Sequence, residues 1–267
     1  DVESMTILKG AAATALYGSR AASGVVMITT KTGKKNKGLG IEYNGGLQWS
    51  TILRLPEFQN EFGMGWNGDH TELENGSWGP RFDGSMQLWG NRYENSQKLK
   101  PYSPIKDNIR DFFDAGFRYN NSVSFNGATD RSEYYVSFSQ ISDNGMIPTD
   151  ADSYDKYTFS ARGSHKVKAL TFSSSLNYSY QKNKFATTGQ GLTMLNSLYQ
   201  TPRDISIISL QNQDDIFNSP GYFYTPYGVM NPYYILENYL NEYDAERFYG
   251  KFQVDYDFLK YFKFTYR

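Results

Sequence analysis

Hydrophobic and polar residues alternate along much of this chain after residue 40. In the first alternating stretch, Tyr43, Leu47 and Trp49 fall on one face, whereas Glu42 and Gln48 fall on the other. Six further stretches repeat the pattern, and they cover residues 118–127, 134–139, 156–164, 170–180, 247–258 and 262–266. Successive side chains of a β-strand point to opposite faces of the sheet, so the pattern predicts seven amphipathic strands.

The predicted strands are joined by connections of very unequal length. Residues 50–116 and 181–245 form the two longest connections, whereas residues 128–131 and 165–168 form tight turns. Outer-membrane barrels are connected in this way, with long loops outside the cell and short turns in the periplasm. A strand of about ten residues tilted by about 45° spans about 24 Å along the membrane normal, close to the height of the apolar band. The pattern predicts an all-β transmembrane fold, an antiparallel outer-membrane β-barrel.

Seven strands do not close such a barrel. Bacterial single-chain barrels have an even number of strands, and an open edge in lipid leaves backbone groups without hydrogen-bond partners. We therefore expect the last strand to pair with strands outside this sequence. Short helices are predicted within the long connections at Ile105–Phe113 and Leu192–Tyr199, and a turn is predicted at Leu259 and Lys260.

The first 31 residues have a different organisation. Two β-like runs, Ser4–Leu8 and Val25–Lys31, flank an alanine-rich segment, Ala11–Ala22. Alanine has the highest helix propensity, and glycine readily takes the left-handed conformation that ends a helix, so Gly24 is expected to end this one. The predicted strand–helix–strand unit is too small to enclose a core and must pack against something else. A basic linker, residues 31–37, follows it.

The composition excludes several classes of site. The 267 residues include no cysteine and carry a formal net charge of −1, so neither a thiolate metal site nor a nucleic-acid-binding surface is expected. His70 and His165 are far apart in sequence, and no local Ser–His–Asp set or carboxylate pair indicates catalysis. We therefore expect a protein that is not an enzyme and that has no cofactor. Aromatic residues make up 17% of the chain, which is typical of barrels with aromatic girdles.

Two groups of residues in the connections are candidate binding sites. The first group consists of Trp66, Trp78, Trp89 and Tyr93. Aromatic side chains stack on sugar rings and on peptide side chains, so this group can contact a substrate or a lid protein; its alternative role is to pack a large loop against itself. The second group, Asp150, Asp152 and Asp155, has the ligand type of a hard-cation site, but a solvated acidic loop is the favoured interpretation.

The N-terminal unit also resembles a signature of the plug domain in TonB-dependent outer-membrane transporters of the SusC/RagA family. The matching residues are Val2, Glu3, Ser4, Leu8, Lys9, Gly10, Leu16, Tyr17, Gly18, Ser19, Arg20, Ala21, Ala22, Gly24, Val25, Ile28, Thr29, Thr30 and Lys31. Lys9 stands where related transporters have a basic plug residue that faces barrel carboxylates, and Arg20 is a second candidate for such an anchor. An ordinary solvent-facing lysine is the alternative for Lys9.

The resemblance implies a fold, a domain organisation and partners. It implies a barrel of about 22 strands that encloses a small α+β plug segment. Residues 1–37 then form the C-terminal part of the plug domain and its linker, and residues 38–267 form the N-terminal part of the barrel, with long extracellular loops at 50–116 and 181–245. The implied partners are a SusD-like surface lipoprotein that acts as a lid, TonB acting through a segment absent from this sequence, and outer-membrane lipid.

The expected function is TonB-dependent active import of glycans or oligopeptides across the bacterial outer membrane. A passive outer-membrane barrel or a surface adhesin is one alternative, and the plug signature disfavours it because an open pore needs no plug. A soluble β-rich glycan-binding protein is another alternative. It would need polar outer faces, whereas Phe248–Phe258 has a continuous apolar one.

Overall fold

The computed structural model describes residues 2–35, 40–258 and 261–267. Its strands are β1 (Val2–Leu8), β2 (Val25–Thr30), β3 (Ile41–Ser50), β4 (Met86–Tyr93), β5 (Ser96–Pro101), β6 (Gly116–Ala128), β7 (Ser132–Asp143), β8 (Tyr154–Val167), β9 (Leu170–Ala186), β10 (Leu240–Phe258) and β11 (Phe262–Tyr266). Seven of them form one antiparallel sheet in the order β11-β10-β9-β8-β7-β6-β3. The predicted number of strands and their antiparallel pairing are therefore confirmed. The turn predicted at Leu259 and Lys260 lies outside the described residues.

The register of the large sheet aligns apolar residues on one face. Val123 of β6 pairs with Phe138 of β7, which pairs with Phe159 of β8, and Tyr178 of β9 and Phe248 of β10 continue the row. The neighbouring row on the opposite face consists of Ser124, Ser137, Ser160 and Asn177. The phenylalanines of the apolar row are exposed, whereas the three serines are buried. The sheet thus has one open apolar face and one polar face, as the alternation predicts.

The N-terminal residues form a separate small unit. Strands β1 and β2 pair antiparallel, and helix α1 (Ala11–Tyr17) and a 3-10 turn (Ser19–Ala21) connect them. The predicted strand–helix–strand order is confirmed, but the helix is shorter than Ala11–Ala22. It ends at Tyr17 because Gly18 has a φ of 72°, which a regular helix does not accommodate and which glycine adopts readily.

Two helices lie in the connection between β9 and β10. Helix α2 (Met194–Gln200) begins after Thr193, whose hydroxyl accepts a hydrogen bond from the N–H of Asn196, and it lies close to the helix predicted at Leu192–Tyr199. Helix α3 (Pro232–Asn238) is not predicted, because prolines in this stretch indicate irregular structure. Its proline stands in the first turn, where a backbone donor is not needed. No helix within the described ranges is long and apolar enough to cross a membrane.

The helix predicted at Ile105–Phe113 is wrong, because this segment forms turns. Its conformation is determined by contacts with the other long connection. The side-chain amide of Asn108 donates to the carbonyl oxygen of Ile205 at 2.7 Å and accepts the N–H of Ile207 at 2.9 Å. Residues 50–116 also contain the hairpin β4–β5, which the alternation does not predict.

The hydrophobic core of the described residues lies in the connections rather than in the large sheet. Its buried residues are Met64, Trp89, Ile109, Phe112, Ala151, Met194, Leu198, Ile205, Ile207, Leu210, Phe223, Tyr224, Val229, Tyr233, Ile235 and Leu236. They come from residues 51–115, 144–153 and 187–239, which we together call the loop body. The two long connections therefore form one packed structure rather than two independent loops.

Candidate functional site

Arg203 joins the two long connections of the loop body. Its guanidinium donates hydrogen bonds to the carbonyl oxygens of Gln59 and Ile105, both at 3.1 Å, and to Oδ1 of Asn60 at 2.8 Å. The same group lies over the ring of Phe58, 5.3 Å from its centroid. Burial lowers the pKa of Arg203, but a guanidinium stays charged in proteins. Its fixed fork of donors holds several acceptors of one connection against the other.

A buried ion pair makes a second junction between the connections. Nζ of Lys100 lies 2.5 Å from Oδ2 of Asp204, and the two side chains are 7% and 0% exposed. Oδ1 of Asp204 accepts the backbone N–H of Met64 at 2.9 Å, and the ammonium lies 5.4 Å from the ring centroid of Trp89. Burial lowers the pKa of Lys100 to about 8, although the charge of Asp204 acts in the opposite direction. Removing either partner would leave the other charge buried and unpaired.

Buried amide side chains organise the second connection internally and against the first. Nδ2 of Asn231 donates to the carbonyl oxygens of Leu210 and Asn218, both at 2.9 Å. Oδ1 of Asn218 accepts from Nζ of Lys98 at 3.0 Å, and the same ammonium lies 2.7 Å from the carboxylate of Asp215. These polar contacts, in which Asn218 and Asn231 are buried, favour one arrangement of the loop body over alternative packings.

An aromatic cleft opens on the surface of the loop body. Phe62, Trp66 and Trp78 line a space of about 540 Å³. Trp66 and Trp78 are 55% and 70% exposed. A second space of about 400 Å³ shares these three residues and extends to Tyr199 and Arg203 of the other connection. The cleft therefore crosses the seam between the two long connections.

Backbone hydrogen bonds hold the two tryptophans on this surface. The N–H of Trp78 donates to the carbonyl oxygen of Gly65 at 3.1 Å, and Trp66 and Asp69 exchange two backbone hydrogen bonds of 3.0 Å each. Gly65 has a φ of 143°, and a Cβ at this position would lie 2.1 Å from the carbonyl oxygen of Asp69. Only glycine fits this turn. The indole rings therefore stay exposed although their backbone is fixed, and such rings offer a rigid contact surface to a ligand.

The other two aromatic candidates are placed differently. Trp89 is 6% exposed, and its ring packs against Tyr224 in the core at a centroid distance of 5.8 Å. The ring of Tyr93 meets that of Tyr222 edge-on at 5.1 Å. The structure thus brings Trp66 and Trp78 together in the cleft, while Trp89 packs the loop body against itself.

The residues of the N-terminal signature lie mostly at the surface of the described chain. The exposed members of the site are Lys9, Gly10, Leu16, Tyr17, Gly18, Ser19 and Arg20, whereas Gly24 is half-buried. Gly10, Gly18 and Gly24 have φ values of 59°, 72° and 100°, so glycine permits the turns around the helix. The anchoring roles of Lys9 and Arg20 stay predictions.

The linker makes anchoring contacts that the sequence did not single out. Nζ of Lys31 donates to both carboxylate oxygens of Glu42 in β3, at 2.9 and 3.1 Å. Nη1 of Arg162 in β8 donates to the carbonyl oxygen of Lys31 at 3.3 Å. Lys35 forms an ion pair with Asp130 in the turn between β6 and β7. The lysines of residues 31–37 are the sequence signal for these contacts, because a lysine ammonium can pair with a carboxylate.

The acidic group near Asp152 is used within the protein. The Asp152 carboxylate accepts the N–H groups of Met146 and Ile147, both at 2.9 Å, and Asp155 accepts the hydroxyl of Ser142 at 2.6 Å. Across the part of the chain that the structure describes, no group of three or more His, Cys, Asp or Glu side chains is arranged to hold a metal ion.

Known proteins with similar sequences are TonB-dependent receptors. The TonB-dependent receptor SusC of Bacteroides thetaiotaomicron is 26% identical over 272 residues, which cover 97% of this chain and 25% of that protein. The TonB-dependent receptor P26 of Formosa agariphila is 27% identical over 264 residues, which cover 96% of this chain and 24% of that protein. No family profile matches the chain. The chain thus spans about a quarter of the length of these relatives.

Solved structures agree with this class. The RagAB peptide importer in its open-open state matches with a TM-score of 0.61 and 20% identity, over 97% of this chain and 30% of that chain. Its closed-closed state matches with a TM-score of 0.59 and 18% identity, over 97% and 31%. The chain has the fold of a segment of these chains, and its sequence is similar to those of TonB-dependent receptors. Within this class the chain is related to the SusC/RagA family, and the resemblance based on residues 2–31 is confirmed.

Proposed function

We propose that this chain is part of an importer that carries large nutrients across the bacterial outer membrane and is driven by TonB. The observation that carries the proposal is the similarity to a TonB-dependent receptor over 97% of the chain. Residues 1–37 are then the end of the plug domain and its linker, and residues 38–267 are the first strands of a barrel that further strands close. The relatives are receptors by name, and we infer that the function is transport rather than catalysis.

The large sheet supports a position in the membrane. Its apolar row, which includes Phe138, Phe159 and Phe248, is exposed, and a transmembrane barrel presents such a row to lipid. The opposite face carries Ser124, Ser137 and Ser160, which suits a polar lumen. In this orientation the loop body stands at the extracellular end of the barrel, and the tight turn between β6 and β7 stands in the periplasm.

The aromatic cleft supports a contact with the transported molecule or with a lid. Trp66 and Trp78 are exposed and fixed, and they lie where the two long connections meet. We assign them to the first contacts with a glycan or an oligopeptide beneath a SusD-like lipoprotein. Substrate that bridges the seam is then coupled to the barrel through the loop body, and TonB displaces the plug from the periplasmic side.

TonB dependence is the test of this function. Cells that produce the complete receptor are given fluorescently labelled glycans and labelled oligopeptides in separate assays, with TonB present or deleted. The expected result is uptake of one of the two classes only when TonB is present. Uptake that persists without TonB would identify a passive barrel, and surface binding without uptake of either class would identify an adhesin.

A further inference from the structure

The linker between the N-terminal unit and the large sheet is bound to the sheet rather than free. We propose that residues 31–35 form a clasp that stays seated on the inner face of the sheet while the plug moves, so that the displacement is confined to residues before the clasp. The proposal rests on the import function proposed above. It assigns to these residues the role of a fixed attachment point rather than of a flexible tether.

Gly33 makes the closest approach between the clasp and the sheet. A Cβ at this residue would lie 2.3 Å from the carbonyl oxygen of Gly127, and 2.6 and 2.7 Å from the backbone N and O of Tyr134. Gly127 and Tyr134 are paired residues of β6 and β7. The clasp thus lies directly on the backbone of this hairpin. Glycine is required because no larger residue leaves the two segments in contact.

Charged side chains of the sheet hold the clasp at Lys31, two residues before Gly33. Lys31 reaches both carboxylate oxygens of Glu42, and this hydrogen bonding raises the pKa of Lys31. Arg162, which donates to the carbonyl oxygen of Lys31, also lies over the ring of Tyr135, 5.4 Å from its centroid. These contacts attach Lys31 to β3 and β8, which are separate strands of the sheet. A segment held from several strands resists a pull better than one held at a single point.

The exposed ion pairs of the clasp indicate where the fixed part of the chain meets the moving part. Lys35 pairs with Asp130 in the β6–β7 turn, and Lys34 pairs with Glu3 of β1 at 2.9 Å. Exposed pairs of this kind contribute little to stability. Their partners differ in kind, however, because Asp130 belongs to the sheet and Glu3 belongs to the unit that we expect to move. We therefore expect the Lys34–Glu3 ion pair to separate when the plug moves, while the Lys35–Asp130 pair stays formed.

The clasp continues directly from β2. Thr30 ends this strand, and Thr30, Thr32 and Gly33 line one space together with Arg162 and Ser164 of β8. The inner face under the linker carries the hydroxyl groups of Ser164, Ser173 and Ser175.

A reversible cross-link across the clasp tests whether it stays seated. Lys31→Cys and Glu42→Cys are introduced together into the complete receptor and are joined by a bifunctional methanethiosulfonate reagent with a short spacer. The expected result is TonB-dependent uptake at the same rate before and after cross-linking. Uptake that stops on cross-linking and returns on reduction would overturn the clasp, whereas absence of TonB-dependent uptake in the unmodified receptor would overturn the import function instead. Single-cysteine variants treated with the same reagent are the controls.

A variant with a larger side chain at Gly33 tests whether the contact between the clasp and the sheet holds the plug in the barrel. Gly33→Val is compared with Gly221→Val, because a Cβ at Gly221 meets open space. In planar bilayers, the Gly33 variant is expected to show about tenfold more channel openings than the control, the change that about 1.4 kcal/mol produces. Equal opening frequencies would overturn the contribution of Gly33. If the Gly33 variant does not assemble, the reversible cross-link decides the proposal alone.

Discussion

The large sheet and the loop body are stabilised in different ways. In the sheet, the large apolar side chains Phe138, Phe159 and Phe248 are exposed, and adjacent strands are joined along their length by backbone hydrogen bonds. In the loop body, Leu198 and Ile207 are fully buried among other apolar residues. In the proposed barrel, lipid covers the apolar face of the sheet, whereas the loop body has a hydrophobic core of its own.

The two regions also place charge differently. In the proposed barrel the polar positions of the sheet face a lumen, where a change of side chain meets water and costs little. The loop body buries Lys100 and Asp204 as a pair, and it encloses Asn231 with its hydrogen-bond partners. Its arrangement thus depends on a few specific polar contacts, and the sheet's arrangement depends on a repeated pattern. The predictions below separate these two kinds of dependence.

The largest effect is expected from Lys100→Met. This change leaves Asp204 buried without its cation, and breaking a buried pair in this way costs about 3–5 kcal/mol. The double variant Lys100→Met with Asp204→Leu removes both charges and is expected to recover most of the loss. Hydrogen exchange of the amides in α2 and α3, measured on the complete receptor in detergent, reports the free energy of local unfolding. Equal exchange in the single and double variants would show that the charge pair does not organise the loop body.

The next effect concerns the facing of the sheet. Phe252 is 57% exposed on the apolar side of β10, and Gln253 follows it on the polar side. Phe252→Arg is expected to cost about 2–4 kcal/mol of barrel stability near the membrane midplane, whereas Gln253→Arg is expected to cost little. Folding of the complete protein into lipid vesicles, titrated with denaturant, measures both. Equal losses would contradict the assignment of the two faces.

A pH dependence is expected from the same buried lysine. The pKa of Lys100 is lowered by burial to about 8, so the unfolded state binds more protons than the folded state between that pH and the ordinary lysine range. Stability of the loop body is therefore expected to rise with pH across this window, by about 1 kcal/mol per pH unit at most. The double variant without Lys100 and Asp204 is the control, because it lacks this titration. A free energy of unfolding that decreases with pH over this range in the native protein would contradict the lowered pKa of Lys100.

The strands could be predicted from the sequence because their information is local. A period of two is visible within any short stretch, such as residues 247–258. The loop body has no such period, since its contacts join residues far apart in the chain. Met64 and Asp204 are separated by 140 positions, and Asn108 and Ile205 by 97. These long-range contacts fold the segment Ile105–Phe113 into turns, against its local helical pattern.

The candidate site was predictable by residue type but not by position. The sequence indicates the aromatic residues of the first long connection as a group, yet burial separates Trp89 from Trp66 and Trp78, and burial depends on the second connection. The sequence does not predict the contact between Lys31 and Glu42, for a related reason. It joins residues on either side of the linker, and no periodicity marks it.

Among these variants, Trp78→Ala in the cleft is expected to change stability least, although it should weaken ligand binding. Trp78→Ala removes a side chain that is 70% exposed, so the free energy of unfolding should change by within about 0.5 kcal/mol. Trp89→Ala removes a core side chain and should cost about 3–5 kcal/mol. Leu53→Ala is the matched surface control, since Leu53 is 93% exposed and does not line the cleft.

Binding of the labelled nutrient class that shows TonB-dependent uptake separates the roles of these residues. Trp78→Ala is expected to weaken binding to the complete receptor by about tenfold, or about 1.4 kcal/mol, with Leu53→Ala unchanged. Loss of binding without loss of stability would distinguish a contact residue from a packing residue, because a packing residue changes both. Unchanged binding in Trp66→Ala and Trp78→Ala would show that the nutrient does not bind in the cleft. The cleft would then be tested for binding of a SusD-like lid, with the same variants measured against the purified lipoprotein.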